Sequence, residues 1–117
     1  MAMELNKPIE VQLLGDAEAY FEGLPEKIQI KLLKSFDKIQ LGLKGQWFKR
    51  LTSNIWEFRE RDHQKCYRIL AFWDRTEDEA TLILATHGFD KKSNQTPPEQ
   101  IAKAERIRLE YLNNKKS

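Results

Sequence analysis

The chain has 117 residues, 40% of them hydrophobic and 32% charged, which fits one soluble domain around one core and leaves no room for a second. The opening residues MAMELNKPIE contain no apolar signal-type run, and no stretch nears the roughly 18 apolar residues of a membrane helix. The lone Cys66 cannot form an internal disulfide and lies beside an apolar run, so a buried thiol and a cytoplasmic protein are expected. The net charge is only +2 but is unevenly spread, with 8 basic and 4 acidic residues in 44–75 and 7 and 4 in 87–117. If folding joins these two segments, they form a basic face suited to a polyanion; if not, they are two solvated surfaces.

In chain order, IEVQLL (9–14) alternates as a half-buried strand does. Asp16 is a candidate N-cap for a short helix through Tyr20 and Phe21, which Gly23 can stop. Pro25 suits the first turn of a second helix, whose apolar stripe is Ile28, Leu32, Phe36, Ile39 and Leu43, with Lys27, Lys31, Lys34 and Lys38 to its sides. Gly42 and Gly45 then break the pattern. NIWEFRER alternates with period 2, with Trp56 and Phe58 on one side and Ile55, Glu57, Arg59 and Arg61 on the other. RDHQK is a polar turn, KCYRILAFW the next strand and DRTEDE an acidic hairpin turn. ATLILAT reads as a strand central in the sheet, ending at His87, with Gly88-Phe89 turning away from the core. These strands, joined by short turns, predict an antiparallel meander. Thr96 as N-cap, Pro97 as first helical residue and Glu99 as capping-box partner open a last helix with the stripe Ile101, Ala104, Ile107 and Tyr111. Its end, NNKKS, is expected to fray. The order β-α-α-β-β-β-α predicts a single α+β domain with an N-terminal helical hairpin and a C-terminal helix packed on the sheet.

Arg59 and Arg68 each lie mid-strand among apolar neighbours, where an arginine is costly unless paired. On one face of adjacent strands they would repel unless an anion or a carboxylate such as Glu57 lay close. They are either core-edge arginines paired with Glu57, Glu60 or Asp62, or a bidentate phosphate clamp. His87 is either a hydrogen-bonded structural residue or a proton carrier. Lys91 and Lys92 are either solvated or phosphate contacts. Lys49 and Arg50 add charge ahead of the meander, and Trp47-Phe48 beside them can pack in the core or stack on bases. No His or Cys pair has metal-ligand spacing, no glycine-rich phosphate loop occurs, and no serine sits in an elbow motif, so no metal or other cofactor is expected.

Trp56-Glu57-Phe58-Arg59, Tyr67-Arg68, His87-Gly88-Phe89-Asp90-Lys91-Lys92 and Thr96-Pro97, in this order, resemble the RelE/ParE superfamily of bacterial toxins, within it the HigB-like, phage-derived branch of type II toxin–antitoxin systems. The resemblance covers about residues 8–112. It implies a RelE-like fold and a metal-independent, ribosome-dependent mRNA endonuclease that inhibits translation through attack of a ribose 2′-OH on the adjacent phosphate. That chemistry needs a base, cations for the dianionic phosphorane and help for the leaving 5′-oxygen. Arg59, Arg68, His87, Lys91 and Lys92 are the candidate catalytic residues, and Lys49, Arg50, Arg61 and Lys65 the candidate RNA contacts. The implied partners are the ribosome, mRNA and a cognate antitoxin, commonly a helix-turn-helix protein, with no membrane. The alternatives are a ParE-like non-nuclease toxin acting on a protein such as DNA gyrase, and an inactive remnant that still binds its partner.

Overall fold

Five strands and three helices follow from these patterns: β1 (Ile9–Leu13), α1 (Gly15–Glu22), α2 (Glu26–Gln40), β2 (Phe48–Arg50), β3 (Trp56–Arg61), β4 (Cys66–Asp74), β5 (Thr81–Lys91) and α3 (Pro98–Lys116). The computed structural model describes residues 9–76, 81–91 and 95–116, without the side chains of Lys91 and Lys116. Much of the expected acidic hairpin turn, Glu77–Glu79, and Lys92 therefore lie outside the described residues.

The sheet order is β1-β5-β4-β3-β2. Strands β3 to β5 form the expected antiparallel meander, β2 extends it antiparallel to β3, and β1 adds to the other edge in parallel with β5. The short strand β2 was not foreseen: three residues are too few to show a period, and Phe48 alone is buried. β5 is interior, but the middle place belongs to β4, where eight of nine residues are buried. Hence the fold is α+β, with α1 and α2 on one sheet face and α3 over β4 and β5 on the other.

The α1/α2 side holds the larger core, built from Ile28, Leu32, Phe36 and Ile39 of α2 against Phe48, Phe58, Ile69, Ala71 and Ile83. Phe36 meets Phe58 edge-on at 4.8 Å between ring centroids, and Phe48 stacks on Phe58 at 4.2 Å. The α2 stripe ends sooner than its spacing suggests. Gly42, at φ +85°, takes the left-handed turn that other residues resist. Gly42 N–H donates to the Ile39 carbonyl and Leu43 N–H to that of Lys38, both at 2.9 Å. This Schellman pattern closes the helix and leaves Leu43 half exposed instead of in the core.

On the other face, α3 covers a smaller cluster of Ile55, Leu70, Phe72 and Leu84, into which it buries Ala104 fully. The helix runs through its polar end to Lys116, past the point where the sequence led one to expect fraying. Asp74, buried in β4, accepts from Tyr111 Oη and Lys115 Nζ at 2.7 Å each, which holds the helix to Lys116. Burial alone would raise the Asp74 carboxyl. The hydrogen bonds from Lys115, Thr76 and Tyr111 outweigh that and hold it well below the usual carboxylate range.

Candidate functional site

A β-bulge decides which side chains share the sheet face under α3. Ala71 pairs with Ala85, but Leu70 pairs with His87, so Thr86 is the extra residue. Its Oγ1 donates to the Leu70 carbonyl at 3.2 Å. The bulge turns His87 and Phe89 onto the α3 face, and Gly88 and Asp90 onto the α1 face. The strand does not stop at His87, as its apolar run implied, but continues to Lys91. Gly88 lets the Tyr20 ring of α1 lie directly on the backbone, and Tyr20 Oη donates to Asp90 Oδ1 at 2.6 Å. The expected turn at Gly88-Phe89 is thus a held part of the ladder.

Three rungs now run across the α3 face: Lys91–Cys66–Arg61, Phe89–Arg68–Arg59 and His87–Leu70–Glu57–Lys49. Directly opposite side chains have Cβ atoms about 5 Å apart. Five of the nine residues expected from the sequence, Lys49, Arg59, Arg61, Arg68 and His87, therefore project from one face, while the side chain of Lys91 lies outside the described residues. Two do not. Arg50 lies on the opposite face of β2 and donates to the Thr52 and Ser53 carbonyls at 3.0 and 3.2 Å. Lys65, in the β3–β4 turn, pairs with Asp90 at 3.1 Å. Lys92 lies outside the described residues.

Arg59 and Arg68 stand directly opposite, and the carboxylate anticipated between them is Glu57. Its Oε1 meets Arg59 Nε at 2.5 Å and its Oε2 meets Arg68 Nη1 at 3.5 Å. Thr96 completes the cluster, donating to Glu57 Oε2 at 2.5 Å and accepting from Arg68 Nη1 at 2.9 Å. The Thr96 hydroxyl is thus turned into the sheet, and the Pro97 carbonyl accepts from Gln100 and Ile101 N–H at the helix start. Arg68 and Glu57 are fully buried, whereas 26% of the Arg59 side chain is open to solvent.

His87 is buried beside them. Its Nε2 lies 2.8 Å from Gln100 Oε1 and its Nδ1 3.1 Å from Thr86 Oγ1. Burial lowers its pKa, more than the Gln100 bond raises it. A base held below its unfolded pKa of about 6.5 contributes stability above that pH and loses it as pH falls. Urea midpoints should therefore drop between pH 7.5 and 5.5, and His87→Gln should flatten that part of the profile. An unchanged slope in the variant would rule His87 out as its source.

The open part of the site is a groove of about 740 Å³ lined by Gln46, Trp47, Lys49, Arg59, Arg61 and Cys66, together with Glu60. Cys66 is a buried free thiol, as expected. The Trp47-Phe48 pair divides its roles: Phe48 is core, while Trp47 is half buried and borders the groove. Thr96 and Gln100 were missed as site residues. Both lie at the entry to α3, Thr96 just ahead of it and Gln100 in its first turn, and only the docking of that helix brings them to Arg68 and His87. The groove offers guanidinium and ammonium donors and one indole ring, a set that binds phosphate and stacks on a base.

The fold and this face define a small α+β domain with a cationic groove on one side of its sheet. The family model of the phage-derived protein Gp49-like family (DUF891) matches residues 19–109, and the chain belongs to that family, a group of RelE/HigB-type toxin-like proteins. No curated protein matches the chain. The family suggests a toxin of toxin–antitoxin type and implies an antitoxin partner. Among the described residues, no helix is long and apolar enough to cross a membrane.

Proposed function

We propose that this chain is the toxin of a type II toxin–antitoxin system and a metal-independent mRNA endonuclease acting on the translating ribosome, in the manner of the HigB-like branch. The observation that carries the reading is the groove in which Lys49, Arg59 and Arg61 meet Trp47. The ribose 2′-oxygen attacks the adjacent phosphorus and gives up its proton, the P–O5′ bond breaks, and the 5′-oxygen takes a proton. Arg59 and Arg61, partly open to the groove, hold the phosphorane charge. Arg68 serves from behind by fixing Glu57 and so the Arg59 guanidinium; direct contact with phosphate would require Thr96 to withdraw. The proton carriers are sought among His87, Lys91 and Lys92. For His87 to act, Gln100 must release Nε2.

Transcript mapping by primer extension after brief induction tests this reading, beside translation reactions containing purified protein. Shortened mRNA is expected, and intact mRNA in the presence of folded protein would refute it. Arg59→Ala should lower cleavage by about 100-fold or more, the usual cost of removing one preorganised donor. Arg50→Ala should have a much smaller effect, because that guanidinium is turned to its own loop. The burial of Arg68 and His87 favours a second reading, a partner-binding remnant without nuclease activity. Expression without growth arrest, in the absence of an antitoxin, would support it.

A further inference from the structure

The groove does not end at the sheet edge. Lys27, Lys31, Lys34 and Lys38 fall at spacings of 4, 3 and 4 along α2, so they form one row on one side of the helix, and all four are exposed. Two contacts fix which way the row faces. Lys31 Nζ donates to the Arg61 carbonyl at 3.3 Å. Lys38 Nζ stands 5.5 Å from the centre of the Trp47 ring. Arg61 and Trp47 both line the groove. The lysine row therefore borders the β2–β3 edge and continues the cationic lining of Lys49, Arg59 and Arg61 around it. At about 1.5 Å of rise per residue, the row extends the cationic surface by roughly 16 Å.

We propose that the α2 lysine row is a nucleic-acid backbone track: RNA leaving the groove passes over Trp47 and lays its phosphates along Lys38, Lys34, Lys31 and Lys27. The inference rests on the RNA reading of the groove and extends it to a second element. Contacts of this kind read no sequence, so they add affinity and strong salt dependence without adding base specificity. An acidic protein segment is the competing occupant. The row's continuity with a groove that offers an indole ring and paired guanidinium donors favours RNA.

The test uses the full chain and the double variant Lys27→Gln/Lys34→Gln, which leaves the lysines at Arg61 and Trp47 in place. Binding of a labelled 20-nucleotide single-stranded RNA is followed by fluorescence anisotropy from 50 to 200 mM salt. Each lost phosphate contact on a single strand lowers the log–log salt slope by about 0.7, so the slope should fall by about 1.4 and the affinity change across that range should narrow about sevenfold. Cleavage at saturating ribosome concentration should stay unchanged while half-saturation moves to higher concentration. An unchanged salt slope overturns the proposal, as does a wild-type chain that binds the RNA without salt dependence. So does an unchanged slope combined with lost binding of an acidic helical peptide, which would assign the row to a protein partner. Failure of the nuclease reading has a different mark: the wild-type chain leaves mRNA intact in translation, whatever its salt slope.

Discussion

Replacing Glu57 by alanine is expected to destabilise the protein by about 3–5 kcal/mol, the usual cost of removing one partner from a buried ion pair. Glu57 is fully buried, as is Arg68, and its two oxygens are shared among Arg59, Arg68 and Thr96. Without the carboxylate, two guanidinium groups face each other across β3 and β4 in directly opposed positions. Arg59 can turn toward solvent, but Arg68 lies beneath the start of α3 and cannot. Urea unfolding with an unchanged m-value would measure the loss. A cost below about 1 kcal/mol would mean that the Arg68 charge is compensated elsewhere and that Glu57 does not carry the cluster.

The same cluster separates stability from function. A buried ion pair is often replaceable by apolar residues of similar volume at little or no cost. The double change Glu57→Leu/Arg68→Met should therefore recover much of what Glu57→Ala loses. If Glu57 and Arg68 exist to present Arg59 to phosphate, the recovered protein stays inactive. Folding and cleavage would then part company at two residues that reach no solvent.

The motifs carried the fold class and the members of the cationic face, because strand alternation and helical stripes survive in one sequence. Arg59, Glu57 and Arg68 were legible as a cluster for the same reason: period 2 put the first two on one side, and short turns put their strand beside that of Arg68. The bulge at Thr86 was not legible. One inserted residue leaves an apolar run looking unchanged, yet it reverses the side to which His87 and Phe89 point. The burial of Arg68 and His87 was hidden too, since it comes from Thr96 and Gln100, residues distant in sequence whose roles depend on where α3 lands. Strand β2 escaped because an edge strand of three residues is defined by its pairing with β3, which no local pattern encodes.

Gly88→Ala is the second large effect expected. A Cβ at position 88 would lie 2.0 Å from Tyr20 Cδ2 and 2.4 Å from Cε2, well inside contact distance. The ring cannot simply swing away. Tyr20 Oη is bonded to Asp90, and burial together with that carboxylate raises the pKa of the hydroxyl, which keeps it a donor. Forcing a methyl into this contact should cost about 3 kcal/mol, the upper part of the usual range for overpacking. Tyr20→Phe should cost far less, about 0.5–1.5 kcal/mol for one hydrogen bond, since Asp90 is partly exposed and keeps Lys65. Tyr20→Ala removes the obstacle, so adding Gly88→Ala to it should be nearly free. The double-mutant cycle would then show a coupling of the same size as the Gly88→Ala loss, and additive costs would dismiss the clash as its cause. The contact also bears on the site. Gly88 and Asp90 are the α1-facing positions of the strand segment whose other side carries His87 and Phe89, so relief of the clash by a shift of β5 would move those residues relative to Arg59 and Arg61. On the proposed endonuclease reading, cleavage by Gly88→Ala protein, assayed where it remains folded, should therefore fall further than its folded fraction does.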